Sequence, residues 1–247
     1  QRVRSRARYK WLGFAPEFSG RNPALQPLYY NDKEVQNIAK ILHGKKTFLA
    51  KEAQRLNFET YAKQTQVLHL ATHGVANAVQ SDFAYLAFTS SDSTASLLYT
   101  QSLYGMQLNA LELVVLSACE TGLGEAQPGE GIISLAHAFT YAGAASIITT
   151  LWSIDDEKTA DIMLLFYKNL KKGLPKDAAL RQARLDYLTS YKSTYAHPFY
   201  WAAFVPLGNM DSLPLGRPSW HYIISILGIL ILIFGLYRLI SARWSFS

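Results

Sequence analysis

Apolar positions in this chain fall into two kinds of stretch. Short runs such as VLHLA at 67–71 and LVVL at 113–116 are apolar without alternation and are bounded by polar residues. Strands covered on both faces read this way, as in a parallel sheet between helices. Further strands are predicted over 11–14, 83–89, 146–151 and 202–207. Between them the period changes. Val35, Ile38, Ala39 and Leu42 recur at i, i+3, i+4 and i+7, predicting a helix capped by Asn31 and running to Leu42. Other helices are predicted over 50–62, 100–107, 131–141, 157–171 and 175–192, with Pro175 in the first turn of the last. Strands alternating with helices predict an α/β fold with a mainly parallel sheet flanked by helices.

The ends of the chain differ from this body. Residues 1–30 are basic and then proline-containing, and read as a linker with the first strand. Residues 210–219 read as a second linker, rich in proline. From Tyr222 to Tyr237 there is no charged residue. Counted from Trp220, 18 residues would span about 27 Å as a helix, against a hydrocarbon core of about 30 Å. Trp220, Tyr222, Tyr237 and Trp244 flank the segment as interface aromatics do. The expectation is a transmembrane helix over 220–240, making membrane contact through 220–237, with a short tail at 241–247. It would be a single-pass C-terminal anchor for a cytoplasmic domain; a buried core helix is the alternative.

Net charge changes the picture little. The chain of 247 residues carries +6, but Arg2, Arg4, Arg6, Arg8 and Lys10 supply five of those charges. The remainder is nearly neutral, and no nucleic-acid signature follows. A nucleic-acid partner is therefore not expected, although a short basic arm can touch phosphates. The single cysteine excludes an internal disulfide and fits a reducing compartment. One cysteine and scattered histidines give no metal-ligand spacing, so neither metal nor other cofactor is expected. The chain starts at Gln1 and reads as the C-terminal piece of something longer.

Two strand ends carry candidate chemistry. ATHG at 71–74 follows one predicted strand, and SACETG at 117–122 follows another. Ligand sites in open parallel sheets lie beyond the carboxyl ends of strands. If the two strands are neighbours, His73 and Cys119 meet at one edge, with an imidazole in reach of a thiol as base for a nucleophile. The backbone N–H groups of Gly74 and Cys119 are candidate oxyanion donors. A buried thiol beside an ordinary His-Gly turn fits the same residues, and spacing alone leaves both readings open. The glycine-rich loop 121–131 lacks the Gly-Lys-Ser/Thr of a phosphate loop and is expected to shape a cleft or switch the site on. His137 and His197 read as structural.

VLHLATHG at 67–74, LVVLSACETGLGEAQPGEG at 113–131, AFTYAGAASIITTLWSIDDEKT at 138–159 and HPFYWAAFVPLG at 197–208 resemble the CHAT family, caspase-like peptidase domains related to separases. The resemblance covers 31–209. It implies a caspase-haemoglobinase-like three-layer sandwich, a Cys119–His73 dyad and cysteine endopeptidase activity on a protein substrate. It also implies control by an upstream regulatory module, such as TPR repeats, or by an activating partner. LWSIDD at 151–156 is similar to the separase segment that supplies an acidic residue to an arginine pocket. By position that residue is Asp156, with Asp155 beside it; both also suit the cap of the helix that follows. A scaffold that keeps the fold and leaves the dyad idle is the competing reading.

Overall fold

The computed structural model describes residues 5–19, 25–43, 45–75, 84–90, 95–117, 119–120, 130–191, 193–215 and 228–234; of Cys119 and Glu120 it describes the backbone. In chain order the elements are β1 (Tyr9–Pro16), α1 (Asn31–Ile41), β2 (Lys45–Ala50), α2 (Arg55–Tyr61), β3 (Thr65–Leu70), β4 (His73–Val75), β5 (Tyr85–Thr89), β6 (Ala95–Tyr99), α3 (Thr100–Tyr104), β7 (Leu113–Leu116), β8 (Cys119–Glu120), α4 (Glu130–Ala142), β9 (Ser146–Thr150), α5 (Asp156–Lys171), α6 (Lys176–Ser190) and β10 (Phe204–Gly208).

Six strands make the main sheet in the order β10-β9-β7-β3-β1-β2, and four make a small sheet in the order β6-β5-β4-β8. In the main sheet every pairing is parallel except that of β10 with β9. The mainly parallel sheet flanked by helices is thus as the apolar pattern predicts. Alternation sorts the strand residues to two faces. Trp11, Val67, Leu113 and Val115 join one core cluster with α1, α5 and α6. Leu12, Phe14, Leu68, Leu70, Val114 and Leu116 join the other with α2, α3 and α4. Because both faces are covered, the strands carry no polar side, which explains their uninterrupted apolar runs.

Four strands were not predicted: β2, β4, β8 and the five-residue β6. β2 starts on two lysines and is a partly exposed edge strand. β4 and β8 are three and two residues long, too short for any period to register. The α1 expectation holds in its apolar stripe, with Val35, Ile38, Ala39 and Leu42 all buried. Its start differs: Tyr30 occupies the cap position, and Asn31 is the first helical residue. Gly13 lets α1 sit close on β1, since a Cβ there would fall 2.2 Å from the Trp11 ring and 2.8 Å from Val35.

The C-terminal expectations are revised. Residues 210–215, read as linker, pack onto the domain: Leu213 and Leu215 belong to the core. Buried Lys176 donates from Nζ to the carbonyls of Asn209 and Asp211 at 3.0 and 2.9 Å. Lys10 reaches the Pro214 carbonyl. Prolines suggested a linker here; the two leucines spaced by two are what anchor it. The compact unit accordingly runs to Leu215, and Gly216–Ser247 is separate. Of the expected transmembrane helix over 220–240, only 228–234 falls among the described residues, as seven helical residues with exposed side chains. Among the described residues no helix is long and apolar enough to cross a membrane. The single-pass anchor, and the membrane localisation built on it, are corrected on that finding: the described helical residues, 228–234, number seven, against the roughly 20 that a span needs.

Packing of 210–215 makes a stability prediction. Leu213→Ala and Leu215→Ala should each cost about 2–5 kcal/mol in chemical denaturation, while exposed Ser212→Ala should stay within about 0.5 kcal/mol. Equal, negligible effects at all three positions would mean that the segment is a linker after all.

Candidate active site

β3 and β7 are adjacent parallel strands, with Val67 opposite Leu113 and Leu70 opposite Leu116. The chain bends at Thr72 after β3, and the two segments pair again in the small sheet with His73 opposite Cys119 and Gly74 opposite Glu120. The offset is 46 residues on each side of the bend (67 to 113, 73 to 119). The backbones of the two candidate residues therefore lie at the strand-pair spacing of about 4.8 Å. The bend is pinned at Ala71, whose N–H donates to the Phe14 carbonyl at 2.9 Å, and at buried Thr72, whose hydroxyl donates to the Ala87 carbonyl at 2.5 Å.

The His73 side chain is 2% exposed. Its Nε2 lies 2.6 Å from the Gln26 carbonyl. A carbonyl only accepts, so Nε2 carries the hydrogen, and Nδ1 keeps its lone pair. Nδ1 is buried without a hydrogen-bond partner among the described residues. Phe18 covers the ring at 4.8 Å between centroids. Burial holds the imidazole below its ordinary pKa, partly offset by the Gln26 carbonyl. The group is then a neutral base at neutral pH, with one nitrogen fixed and the other open.

Gly74 is buried in β4 and has register partners on both sides, Glu120 in β8 and Leu86 in β5. β8 is the edge of the small sheet. Most of the expected cleft loop, residues 121–129, lies outside the described residues.

The two aspartates divide. Asp155 caps α5: its exposed carboxylate accepts from the N–H groups of Glu157 and Lys158 at 3.1 and 3.2 Å. Asp156 is half-buried, and its Oδ2 accepts from the Tyr29 N–H at 3.2 Å. Burial raises the Asp156 carboxyl above the usual range; the Tyr29 N–H opposes this, and the charges of Glu34 and Asp155 add to it. A buried carboxylate of this kind gains by meeting a cation. Asp156 follows the carboxyl end of β9, which neighbours β7, so it belongs to the same edge of the sheet as His73 and Cys119.

Sequence reasoning passed over several contributors. The Gln26 carbonyl and Tyr29 N–H are backbone groups that any residue would supply, so no residue type marks them. Glu34 and His69 were legible as polar residues within apolar patterns, one on the α1 stripe and one inside the buried run 67–71. They lie 3.0 Å apart, Glu34 Oε1 to His69 Nε2, off the direction of a linear hydrogen bond. Tyr167 closes the cluster at 3.3 Å from His69 Nδ1, and burial keeps its hydroxyl protonated by raising its pKa. His197 caps a single turn by accepting from the Phe199 N–H, and His137 is exposed. Among the described residues no group of three or more His, Cys, Asp or Glu side chains could hold a metal ion.

Solved structures with this architecture include the Arg-specific cysteine proteinase gingipain R, at TM-score 0.51 and 11% identity over 85% of this chain and 49% of that one. Caspase-1 from Spodoptera frugiperda matches at TM-score 0.50 and 14% identity, over 88% and 93%. These likenesses establish the caspase-like fold. Tetratricopeptide repeat protein 28 of Mus musculus is 31% identical over 123 residues, half of this chain and 5% of that protein. Its Homo sapiens counterpart is 31% identical over 109 residues, 44% of this chain and 4% of that protein. The chain thus corresponds to a small fraction of these relatives' length. Residues 5–209 match the CHAT domain model, and on that match over most of its length the chain belongs to the CHAT domain family.

Proposed function

We propose that this chain is a cysteine endopeptidase module in which Cys119 attacks the scissile carbonyl and His73 is its base. The observation that carries the reading is the register of His73 on Cys119, together with an Nδ1 that is buried and unpartnered among the described residues. Nδ1 takes the thiol proton, the thiolate adds to the peptide carbonyl, and the N–H groups of Gly74 and Cys119 receive the oxyanion. The imidazolium then protonates the leaving amine. Water, deprotonated by the same nitrogen, hydrolyses the thioester and restores the free thiol. Gln26 keeps the ring from turning and supports the positive charge it carries between these steps.

Asp156 is the proposed receptor for a basic P1 side chain. A half-buried carboxylate with raised pKa is a strong partner for a guanidinium, and the likeness to an Arg-specific proteinase supports that choice. Asp155 serves the helix. Trp152, which also follows β9, donates to the Phe199 carbonyl and so joins this edge to an open pocket lined by Thr194, Ala196, His197, Phe199 and Tyr200. Substrate residues beyond P1 would rest there. The tetratricopeptide repeat relatives support control by a repeat module outside this chain.

Cys119→Ala and His73→Ala should each lower kcat/KM on a basic-P1 peptide library roughly a thousandfold or more; His73→Ala should also lower the melting temperature, because it removes a buried ring that bonds the Gln26 carbonyl and packs on Phe18. Wild type and Cys119→Ala equally inert, with and without an attached repeat module, would favour a scaffold instead.

The aspartates separate cleanly by experiment. Asp156→Asn should raise KM for basic-P1 peptides while leaving kcat within a few-fold. Asp155→Ala should leave KM alone and cost about 1 kcal/mol of stability, the loss of a helix cap. The opposite assignment of these effects would remove Asp156 from the pocket.

The pH profile has a sign. Because burial lowers the His73 pKa, the neutral base persists below its ordinary value of about 6.5, and the acid limb of kcat should lie below that pH. Stability follows the same group. Between the folded and unfolded pKa values the unfolded chain binds the extra proton, so the fold loses stability as pH falls through about 6.5. Asp156, raised, should make KM for a cationic P1 climb at higher pH than an ordinary carboxylate would, and Asp156→Asn should abolish that climb.

A further inference from the structure

Asn31 is buried at the start of α1, and its side-chain amide does not cap that helix. Nδ2 donates to the Pro16 carbonyl at 2.8 Å and to the Ala71 carbonyl at 3.2 Å. Oδ1 accepts from the Asp32 N–H at 2.8 Å. The two carbonyls belong to the last residue of β1 and the first residue after β3. Two donors on one nitrogen are what two such carbonyls need, because a buried polar group left unpaired costs about 1–3 kcal/mol.

The position of the clamp gives it a consequence. Pro16 begins, and Asn31 ends, the stretch that supplies every described contact to the His73 ring. Phe18 covers the ring, Gln26 accepts from Nε2, and Leu25 beside Gln26 is buried. Ala71 stands two residues before His73. One amide therefore joins both ends of that stretch to the segment that carries the imidazole. We infer that Asn31 is a positioning residue for His73: it registers the Gln26 carbonyl and Phe18 against the ring and so holds the Nε2–H tautomer, with Nδ1 free. Its importance for catalysis rests on the peptidase reading; its test does not.

Asn31→Asp keeps the shape and removes the donors, setting a carboxylate against two carbonyl oxygens. Asn31→Ser retains one shorter donor. The chain has six histidines, so long-range ¹H–¹⁵N imidazole spectra of the full chain are assigned by comparison with His73→Gln. Wild type should show the Nε2–H tautomer and a His73 pKa below about 6.5. Asn31→Asp should give a mixture of tautomers and a pKa at or above that value, with Asn31→Ser between the two. Melting temperature is recorded in parallel. A variant with lowered melting temperature and an unchanged His73 tautomer and pKa would make Asn31 purely structural and overturn the inference. A wild-type Nδ1–H tautomer would overturn it too. Should Asn31→Asp fail to fold, Asn31→Ser carries the same two outcomes. If the peptidase reading fails, Cys119 stays unreactive toward electrophiles while the tautomer still responds to Asn31; the two failures are therefore distinguishable.

Discussion

The pairing of β3 with β7 is the constraint on which the candidate site depends. Both strands are covered on both faces, so a slip of one residue would turn every side chain from one core to the other. Leu68, Leu70, Val114 and Leu116 would leave one cluster, and Val67, Leu113 and Val115 the other. Hydrophobic burial on both faces thus specifies the register. The same offset carries through from the β3–β7 pairing to His73 and Cys119. Two residues 46 positions apart are brought together by the core behind them.

The polar groups at this edge are governed by burial more than by paired charges. Desolvation keeps the His73 imidazole neutral and makes the Asp156 carboxylate reluctant to ionise. Backbone groups from one stretch attend to both: the Gln26 carbonyl on His73 and, three residues later, the Tyr29 N–H on Asp156. Such groups cannot titrate, so they present the same dipoles to both side chains at any pH. Glu34 and His69 are buried as well, 3.0 Å apart in otherwise apolar surroundings.

Much of this was legible beforehand, for physical reasons. Buried parallel strands announce themselves as uninterrupted apolar runs, and 113–116 is observed at those bounds. The His73 and Cys119 positions stood out because each directly followed such a run. What stayed hidden falls into two groups. Backbone contributors such as Gln26 and Tyr29 have no residue signature. Asn31 did have one, and it was misread: an Asn before a helical stripe suggests a cap, whereas tertiary contacts gave its amide to two strand ends. At the C-terminus local composition misled in both directions. Prolines implied a linker where Leu213 and Leu215 dock, and an apolar run implied a spanning helix that the described residues do not contain.

The most direct measurement is the intact mass of the chain after exposure to a peptide electrophile with arginine at its reactive end. One adduct is expected, on Cys119. It should form slowly or not at all in His73→Ala, and faster than with the same electrophile bearing aspartate. No adduct under any condition, or one indifferent to His73, would contradict a thiol activated by the imidazole opposite it.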